Sequence, residues 1–167
     1  MNYIFDLDFT LYSNYDINKS TDTKFYKSFK EKQFLNKLLN QLKLKNKLYI
    51  FSNGNKNHVD YVIKKMKMKT LFEDTANRDE YSKFPKPDIR AYKYVIKKFK
   101  LDKNIETFFF EDTIENLETA KKMGWVTVFI NNDKISKKKL ERYNFIDYKF
   151  SCIEQALIFL INKFDNK

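Results

Sequence analysis

An α/β sandwich built on a parallel sheet is predicted by two observations. Short, continuous apolar runs recur along the 167 residues, and stretches with apolar residues at helical spacing lie between them. No internal repeat and no long flexible linker interrupts the alternation, and the length suits one well-buried core, not two full domains. The chain is therefore expected to form a single domain over residues 1–167.

The elements follow in order. Residues 3–5 read as a first strand, apolar at successive positions as expected when both faces are covered. Residues 31–44 read as a helix whose stripe is Phe34, Leu35, Leu38, Leu39 and Leu42. A second strand at 48–51 leads into a helix at 55–66, with Val59, Val62, Ile63 and Met66 on one face. Residues 70–76 are a further strand candidate. Ile89, Tyr92, Ile96 and Phe99 mark the next helix, and the three phenylalanines at 108–110 the next strand. Leu117, Ala120 and Met123 lie on a helix that Gly124 should stop. Residues 125–130 are a strand and 147–150 a short one. The last helix carries Ile153, Ala156, Leu157, Leu160, Ile161 and Phe164. Right-handed crossovers should connect the strands.

Composition removes several function classes. No apolar run approaches the roughly 20 residues that span a bilayer. The sequence opens on a strand with no basic-then-apolar leader, and Cys152 is the one cysteine, so no intrachain disulfide forms. Cys152, among Ile153, Ala156 and Leu157, is expected to be a buried structural thiol, and the compartment to be cytoplasmic. The formal charge of +11 points towards anionic partners. Only Arg78, Arg90 and Arg142 are arginines, however, and the lysines are spread along a chain rich in Asn, Ile, Tyr and Phe. That is the mark of AT-rich coding, so most of the charge is assigned to solvated faces. Most aromatic residues sit inside apolar strand or helix patterns and are not interleaved with basic residues on one face, which argues against a single-strand-binding platform. A nucleic-acid partner is not favoured.

In a parallel sheet the chemistry gathers beyond the carboxyl ends of the strands. Asp6 and Asp8 follow the first strand; Ser52, Asn53 and Gly54 follow the second; Glu111 and Asp112 follow the 108–110 strand. Lys86 stands between Pro85 and Pro87, just ahead of a helix. A carboxylate such as Asp6 can attack phosphorus and divide a difficult displacement into two steps. Asp8 can give a proton to the leaving oxygen and later take one from water. Ser52 offers a hydroxyl, and Asn53 and Gly54 offer main-chain N–H groups at a helix start. Lys86 can neutralise a phosphoryl group. Asp6, the main-chain carbonyl of Asp8 and Asp112 can hold Mg2+ through oxygen, with Glu111 and Asn116 beside them. Each feature also has a plainer reading, as a helix cap, a turn or a surface charge. It is the four together, in this order and at strand ends, that the plainer readings do not cover.

Asp6-Leu7-Asp8-Phe9-Thr10-Leu11 resembles the first signature of the haloacid-dehalogenase-like phosphatases. Ser52-Asn53-Gly54 is similar to the second, Lys86-Pro87 to the third, and Glu111-Asp112-Thr113 with Asn116 to the fourth. The resemblance runs from Asn2 to about Ile130. It implies a Rossmann-like three-layer α/β/α sandwich and a Mg2+-dependent phosphomonoester hydrolase acting through an aspartyl-phosphate. Asp6 would be nucleophile and Asp8 acid/base; Thr10, Ser52, Asn53, Gly54 and Lys86 would bind phosphate; Asp6, Asp8 and Asp112 would bind the metal. Asp8 argues against the dehalogenases of that superfamily, which lack an aspartate there and use no metal.

A narrower likeness is to the pyrimidine 5′-nucleotidase branch. It is carried by the run from Phe5 to Tyr12, by Phe51 to His58 with His58 in place, and by Phe110 to Gly124. It implies a nucleoside 5′-monophosphate or another small phosphorylated metabolite as substrate. Three features depart from the pattern. Phe9 stands where small or polar residues are usual, Glu111 replaces an aspartate, and positions 9–51 leave no room for the branch's helical cap. Only a reduced cap over about residues 11–30 remains. Tyr12, Tyr15, Phe25, Tyr26 and Phe29 there are candidates either for stacking on a base or for core packing. Two other functions stay open: a phosphatase acting on nucleic-acid ends or phosphoproteins through an open site, and a non-catalytic binding module.

Overall fold

The computed structural model describes residues 1–12, 29–81, 83–131 and 135–165. Its strands are β1 (Asn2–Phe5), β2 (Lys47–Phe51), β3 (Asp74–Ala76), β4 (Thr107–Glu111), β5 (Val126–Ile130) and β6 (Tyr148–Phe150). Its helices are α1 (Gln33–Lys43), α2 (Lys56–Lys65), α3 (Ile89–Lys98), α4 (Ile114–Lys122), α5 (Lys137–Leu140) and α6 (Ile153–Leu160), the last running into a π-turn at Ile161–Asp165. All strand pairs are parallel, and the sheet order is β3-β2-β1-β4-β5-β6. This is the three-layer, Rossmann-like α/β architecture expected from the sequence. No helix among the described residues is long and apolar enough to cross a membrane.

The period-two alternation of each strand divides the core into two. Tyr3, Phe5, Leu48, Ile50, Phe108, Phe110, Val128 and Ile130 face one layer, made by α1, α2 and α6. Ile4, Tyr49, Phe51, Phe109 and Phe129 face the other, made by α3 and α4. Aromatic rings fill both. Phe5 stacks on Phe110 at 4.5 Å and Tyr3 on Phe108 at 5.0 Å. On the opposite face Trp125 is packed between Tyr92 (5.6 Å) and Phe109 (5.7 Å). With strands buried on both sides, apolar residues at every position are required, and that explains why 3–5 and 108–110 read as unbroken runs.

Gly124 ends α4 as foreseen. It adopts φ +80° and its N–H returns to the Lys121 carbonyl at 2.9 Å, a left-handed helix stop that glycine takes without strain. The expectations for Phe34, Ile89 and Cys152 need correction. Phe34 and Ile89, assigned to apolar stripes, are exposed. Leu35 and Ala91 in the same first turns are fully buried, so direction around the helix decides. The covered faces run through Leu35, Leu38, Leu39 and Leu42 and through Ala91, Tyr92, Val95 and Phe99, and Phe34 and Ile89 stand to one side of them. Cys152 is half-buried and not fully enclosed, because it occupies the N-cap of α6 while Ile153 takes the inward position. The reduced-cap segment at 11–30 falls largely outside the described residues, and Tyr15, Phe25 and Tyr26 with it.

Candidate active site

Register brings the predicted residues to one place. Phe5 pairs with Ile50 on one side and Phe110 on the other, so β1, β2 and β4 end level. Asp6 follows β1 and its N–H bonds to the Phe110 carbonyl at 2.9 Å; Ser52 follows β2 and bonds likewise to Ala76 at 3.0 Å. Glu111 is the last residue of β4. β1 lies inside the sheet with β2 and β4 as its neighbours, so the crossovers leave it in opposite directions and a crevice opens above it. A cavity of about 340 Å3 lies there, lined by Asp6, Asp8, Asn53, Gly54, Lys86, Asp112 and the secondary candidates Glu111, Asn116 and His58, with Phe9 and Thr113.

Lys86 is the centre of the site. Its ammonium is enclosed, 2.7 Å from Asp6 Oδ1, 2.8 Å from Glu111 Oε1 and 2.9 Å from the Phe51 carbonyl oxygen. It also lies over the rings of Phe51 (5.0 Å) and Phe109 (5.4 Å). The loop that delivers it is pinned by Asn53, whose side-chain amide donates to the Lys86 carbonyl and whose Oδ1 accepts from the Lys86 N–H, each at 3.0 Å. Behind it, Thr119 Oγ1 donates to the Pro87 carbonyl at 2.8 Å. Asn53 was expected to act through its main-chain N–H; its side chain has this separate structural task. A buried lysine in such a loop is singled out by the flanking prolines, as the sequence suggested.

Glu111 is held from three sides. Oε1 accepts from Lys86 and from Asn116 Nδ2 (2.5 Å), and Oε2 from the Thr113 N–H (2.7 Å). Asp6, Glu111 and Asp112 each present an oxygen, and the three oxygens lie within 4.8 Å of one another. One ammonium among three carboxylates leaves an excess of negative charge. Burial, followed by the charges of Glu111 and Asp8, raises Asp6 from 3.8 to about 8 despite Lys86. Burial and the charges of Glu111 and Asp6 raise Asp112 to about 9. Glu111 goes the other way: burial opposes its charge, but Lys86 outweighs burial and holds it below the ordinary range. All donors are hard oxygens, and the charge excess calls for a cation. The residues fit a divalent metal of the Mg2+ type.

Asp8 is surrounded differently. His58 Nε2 is 2.6 Å from its Oδ1, and the Tyr12 hydroxyl donates to the same oxygen. Ser52 Oγ is 3.4 Å from Oδ2 and accepts from the Gly54 N–H at 2.9 Å. Burial would raise the Asp8 carboxyl, but the His58 and Tyr12 hydrogen bonds prevail and keep it below the usual value. Thr10 and Ser52 are buried and are not among the lining residues; the Thr10 hydroxyl has no partner among the described residues. Tyr12 and Phe29, candidates for base stacking, are both buried and pack edge to face at 4.7 Å. Phe9 is the aromatic that lines the cavity, 37% exposed with a left-handed φ of 62°. Sequence reasoning gave Tyr12 no part in holding Asp8. The signal was its place four residues after Asp8 on a tight turn.

These shifts fix the sign of a pH effect. Asp6 and Asp112 have raised values in the fold, so their contribution to stability is full below about 3.8 and is lost as pH rises towards 8–9. Glu111 and Asp8 have lowered values, so theirs is present above the ordinary range and lost in acid. In EDTA, the melting temperature should fall between pH 5 and pH 9. The slope should flatten in Asp112→Asn and with Mg2+ present. A melting temperature that rises over this interval in EDTA would contradict the charge excess.

Residues 15–124 match the family model described as haloacid dehalogenase-like hydrolase. That span contains Ser52, Lys86, Glu111 and Asp112, and starts after Asp6 and Asp8. Among solved structures, a Thermotoga maritima protein described as a candidate beta-phosphoglucomutase superposes with TM-score 0.74 and 15% identity, over 98% of this chain and 99% of that one. The candidate HAD-hydrolase YfnB of Bacillus subtilis, bound to magnesium, gives 0.69 and 15% over 95% and 97%. A dehalogenase gives 0.66 and 22% over 80% of this chain, which spans 59% of that one's length. At these identities the likeness is one of fold. No curated protein sequence matches the chain.

Proposed function

The chain belongs to the haloacid dehalogenase-like hydrolases, and from that premise we propose that it hydrolyses phosphomonoesters, with Asp6 as nucleophile and Asp8 as general acid/base. The observation that carries the reading is the Asp6–Glu111–Asp112 oxygen cluster beside a buried Lys86, with a fourth carboxylate, Asp8, lining the same cavity. A reaction that brings a phosphate dianion to a carboxylate needs this concentration of cationic help and cation ligands.

In the first half, an Asp6 oxygen attacks phosphorus and the bond from phosphorus to the leaving oxygen breaks. Asp8, protonated, transfers its proton to that oxygen. In the second half, water attacks the aspartyl-phosphate, Asp8 takes the water's proton, and the phosphorus–Asp6 bond breaks to release inorganic phosphate. The free site favours ionised Asp8, and a bound phosphate, by its negative charge, raises its proton affinity. Lys86, already on Asp6 Oδ1, is placed to neutralise charge on the transferring group.

Asp6 and Asp112 would hold Mg2+ directly, with the Asp8 main-chain carbonyl. Glu111 has most of its lone pairs committed to Lys86, Asn116 and Thr113, and would act mainly by charge. When bound, the metal would screen the repulsion between Asp6 and the phosphate oxygens. YfnB, similar in fold, was crystallised with magnesium.

For the substrate we propose a small phosphomonoester, with a nucleoside 5′-monophosphate first among them because Phe9 offers an exposed ring at the cavity. The alternative, nucleic-acid ends or phosphoproteins, draws on the +11 charge. Purified protein with Mg2+ should release phosphate from at least one member of a panel of UMP, CMP, sugar phosphates and phosphorylated oligonucleotides. EDTA should abolish the release, and Mg2+ should restore it. Strong preference for oligonucleotide ends would replace the nucleotide reading. Halide release from a 2-haloacid, with no phosphate release above Asp6→Asn, would replace the phosphatase reading by dehalogenation.

A further inference from the structure

We infer that Tyr12 and His58 are paired positioning residues that hold the Asp8 carboxylate by Oδ1 and present Oδ2 for proton transfer. The inference rests on the phosphatase reading and gives that site two residues whose task is to aim the acid.

The two anchors come from different elements and meet on one oxygen. After Asp8 the chain turns through Phe9 at φ 62°, the Leu11 N–H returns to the Leu7 carbonyl at 3.1 Å, and Tyr12 bridges back to Asp8. The Tyr12 ring is buried against Phe29 at 4.7 Å, and its hydroxyl donates to Asp8 Oδ1. His58 stands in the first turn of α2, its N–H capped by Asn55 Oδ1 at 2.8 Å, and its Nε2 lies 2.6 Å from the same oxygen. A carboxylate oxygen only accepts, so Nε2 carries the hydrogen.

Room for the imidazole is made by Gly54. A Cβ there would lie 2.7 Å from His58 Cδ2, so the imidazole would have to shift, and a tight 3.1 Å from Ser52 Oγ. Oδ2, by contrast, receives only the Ser52 hydroxyl at 3.4 Å among the described residues. One oxygen is therefore pinned twice and the other is left available. Rotation of the carboxylate about its Cβ–Cγ bond is what the pair removes. A proton donor must lie within hydrogen-bond reach of the leaving oxygen, so a freely turning carboxylate is a poorer acid.

The test compares two esters that differ in their need for a proton. The phenolate of p-nitrophenyl phosphate leaves without one, whereas the alkoxide of glycerol phosphate requires one. Values of kcat/KM report phosphoryl transfer to Asp6 on each ester. Tyr12→Phe, which keeps the ring packing, and His58→Ala should each lower kcat/KM on glycerol phosphate about tenfold and leave p-nitrophenyl phosphate within about threefold. His58→Gln, which retains a donor near the Nε2 position, should recover part of the loss. Equal losses on both esters, losses on neither, or selectivity in only one of the two variants would overturn the pairing. A wild type that releases no phosphate above Asp6→Asn on either ester would remove the phosphatase reading itself, and the inference with it.

Discussion

Asp6→Asn is expected to lower phosphate release by roughly 10^4-fold or more, the loss typical of a removed nucleophile. The carboxamide matches the carboxylate in size and keeps an oxygen for Lys86, but neither of its polar atoms attacks phosphorus to give a stable acyl phosphate. The substitution should not damage the fold. Lys86 keeps Glu111 and the Phe51 carbonyl as partners. Burial and neighbouring carboxylates hold Asp6 up at about 8, so without metal its titration works against the fold increasingly as pH rises from 3.8 towards 8. The variant in EDTA at pH 8 should melt no lower than wild type. Steady-state phosphate release and thermal melting on the same preparation check both statements. Turnover within tenfold of wild type would exclude Asp6 as nucleophile.

Lys86→Met should be the most destabilising single change at the site. The methionine fills the volume but leaves Asp6 and Glu111 facing each other in an enclosed space without their common cation. Removing one partner of a buried ion pair typically costs about 3–5 kcal/mol. For a chain of this size that is a fall of roughly 6–20 °C in melting temperature in EDTA. Mg2+ should return part of the loss, since a cation on Asp6 and Asp112 relieves the same repulsion. Turnover should fall by about 10^2–10^3-fold even at saturating Mg2+, as when one stabilising donor to a transition-state charge is removed. A melting temperature within about 2 °C of wild type in EDTA would show that Lys86 is not the shared counter-charge the geometry describes.

Much of this was legible in the sequence because a parallel sheet writes a simple code. Strands covered on both faces read as unbroken apolar runs, so the polar residue that ends each run marks the crevice. Asp6 after Ile4-Phe5, Ser52 after Ile50-Phe51 and Glu111 after Phe108–Phe110 were found that way. The stripe of α1 gave the buried Leu35, Leu38, Leu39 and Leu42 together with the exposed Phe34, whereas that of α3 gave Tyr92 and Phe99 but missed Ala91 and Val95 and took in Ile89 and the partly buried Ile96. Large apolar residues mark the covered face of a helix only roughly, so one at its edge is not told apart from one at its centre, and a small inward residue such as Ala91 goes unnoticed.

Contacts made by one side chain to distant backbone were less accessible. Asn53 grips both main-chain polar groups of Lys86, and the Tyr81 hydroxyl donates to the Ser52 carbonyl. Neither pairing follows from spacing, because each spans a crossover. Tyr12 was read as a candidate for base stacking or for core packing; it packs against Phe29, and its bond to Asp8 was not foreseen. His58 was noticed only through a family likeness. Its place in the first turn of α2, and the space that Gly54 leaves beside it, supply the physical reason.

Trp125 is the only tryptophan in the chain. Its indole is buried against Phe109, and the same Phe109 ring lies under the Lys86 ammonium. The protein thus contains its own fluorophore, one aromatic ring away from the charged centre of its crevice. Emission from this one indole reports on the α3/α4 side of the sheet alone, while far-ultraviolet circular dichroism reports on all the helices. Disagreement between the two signals on heating would reveal that one layer loosens before the other.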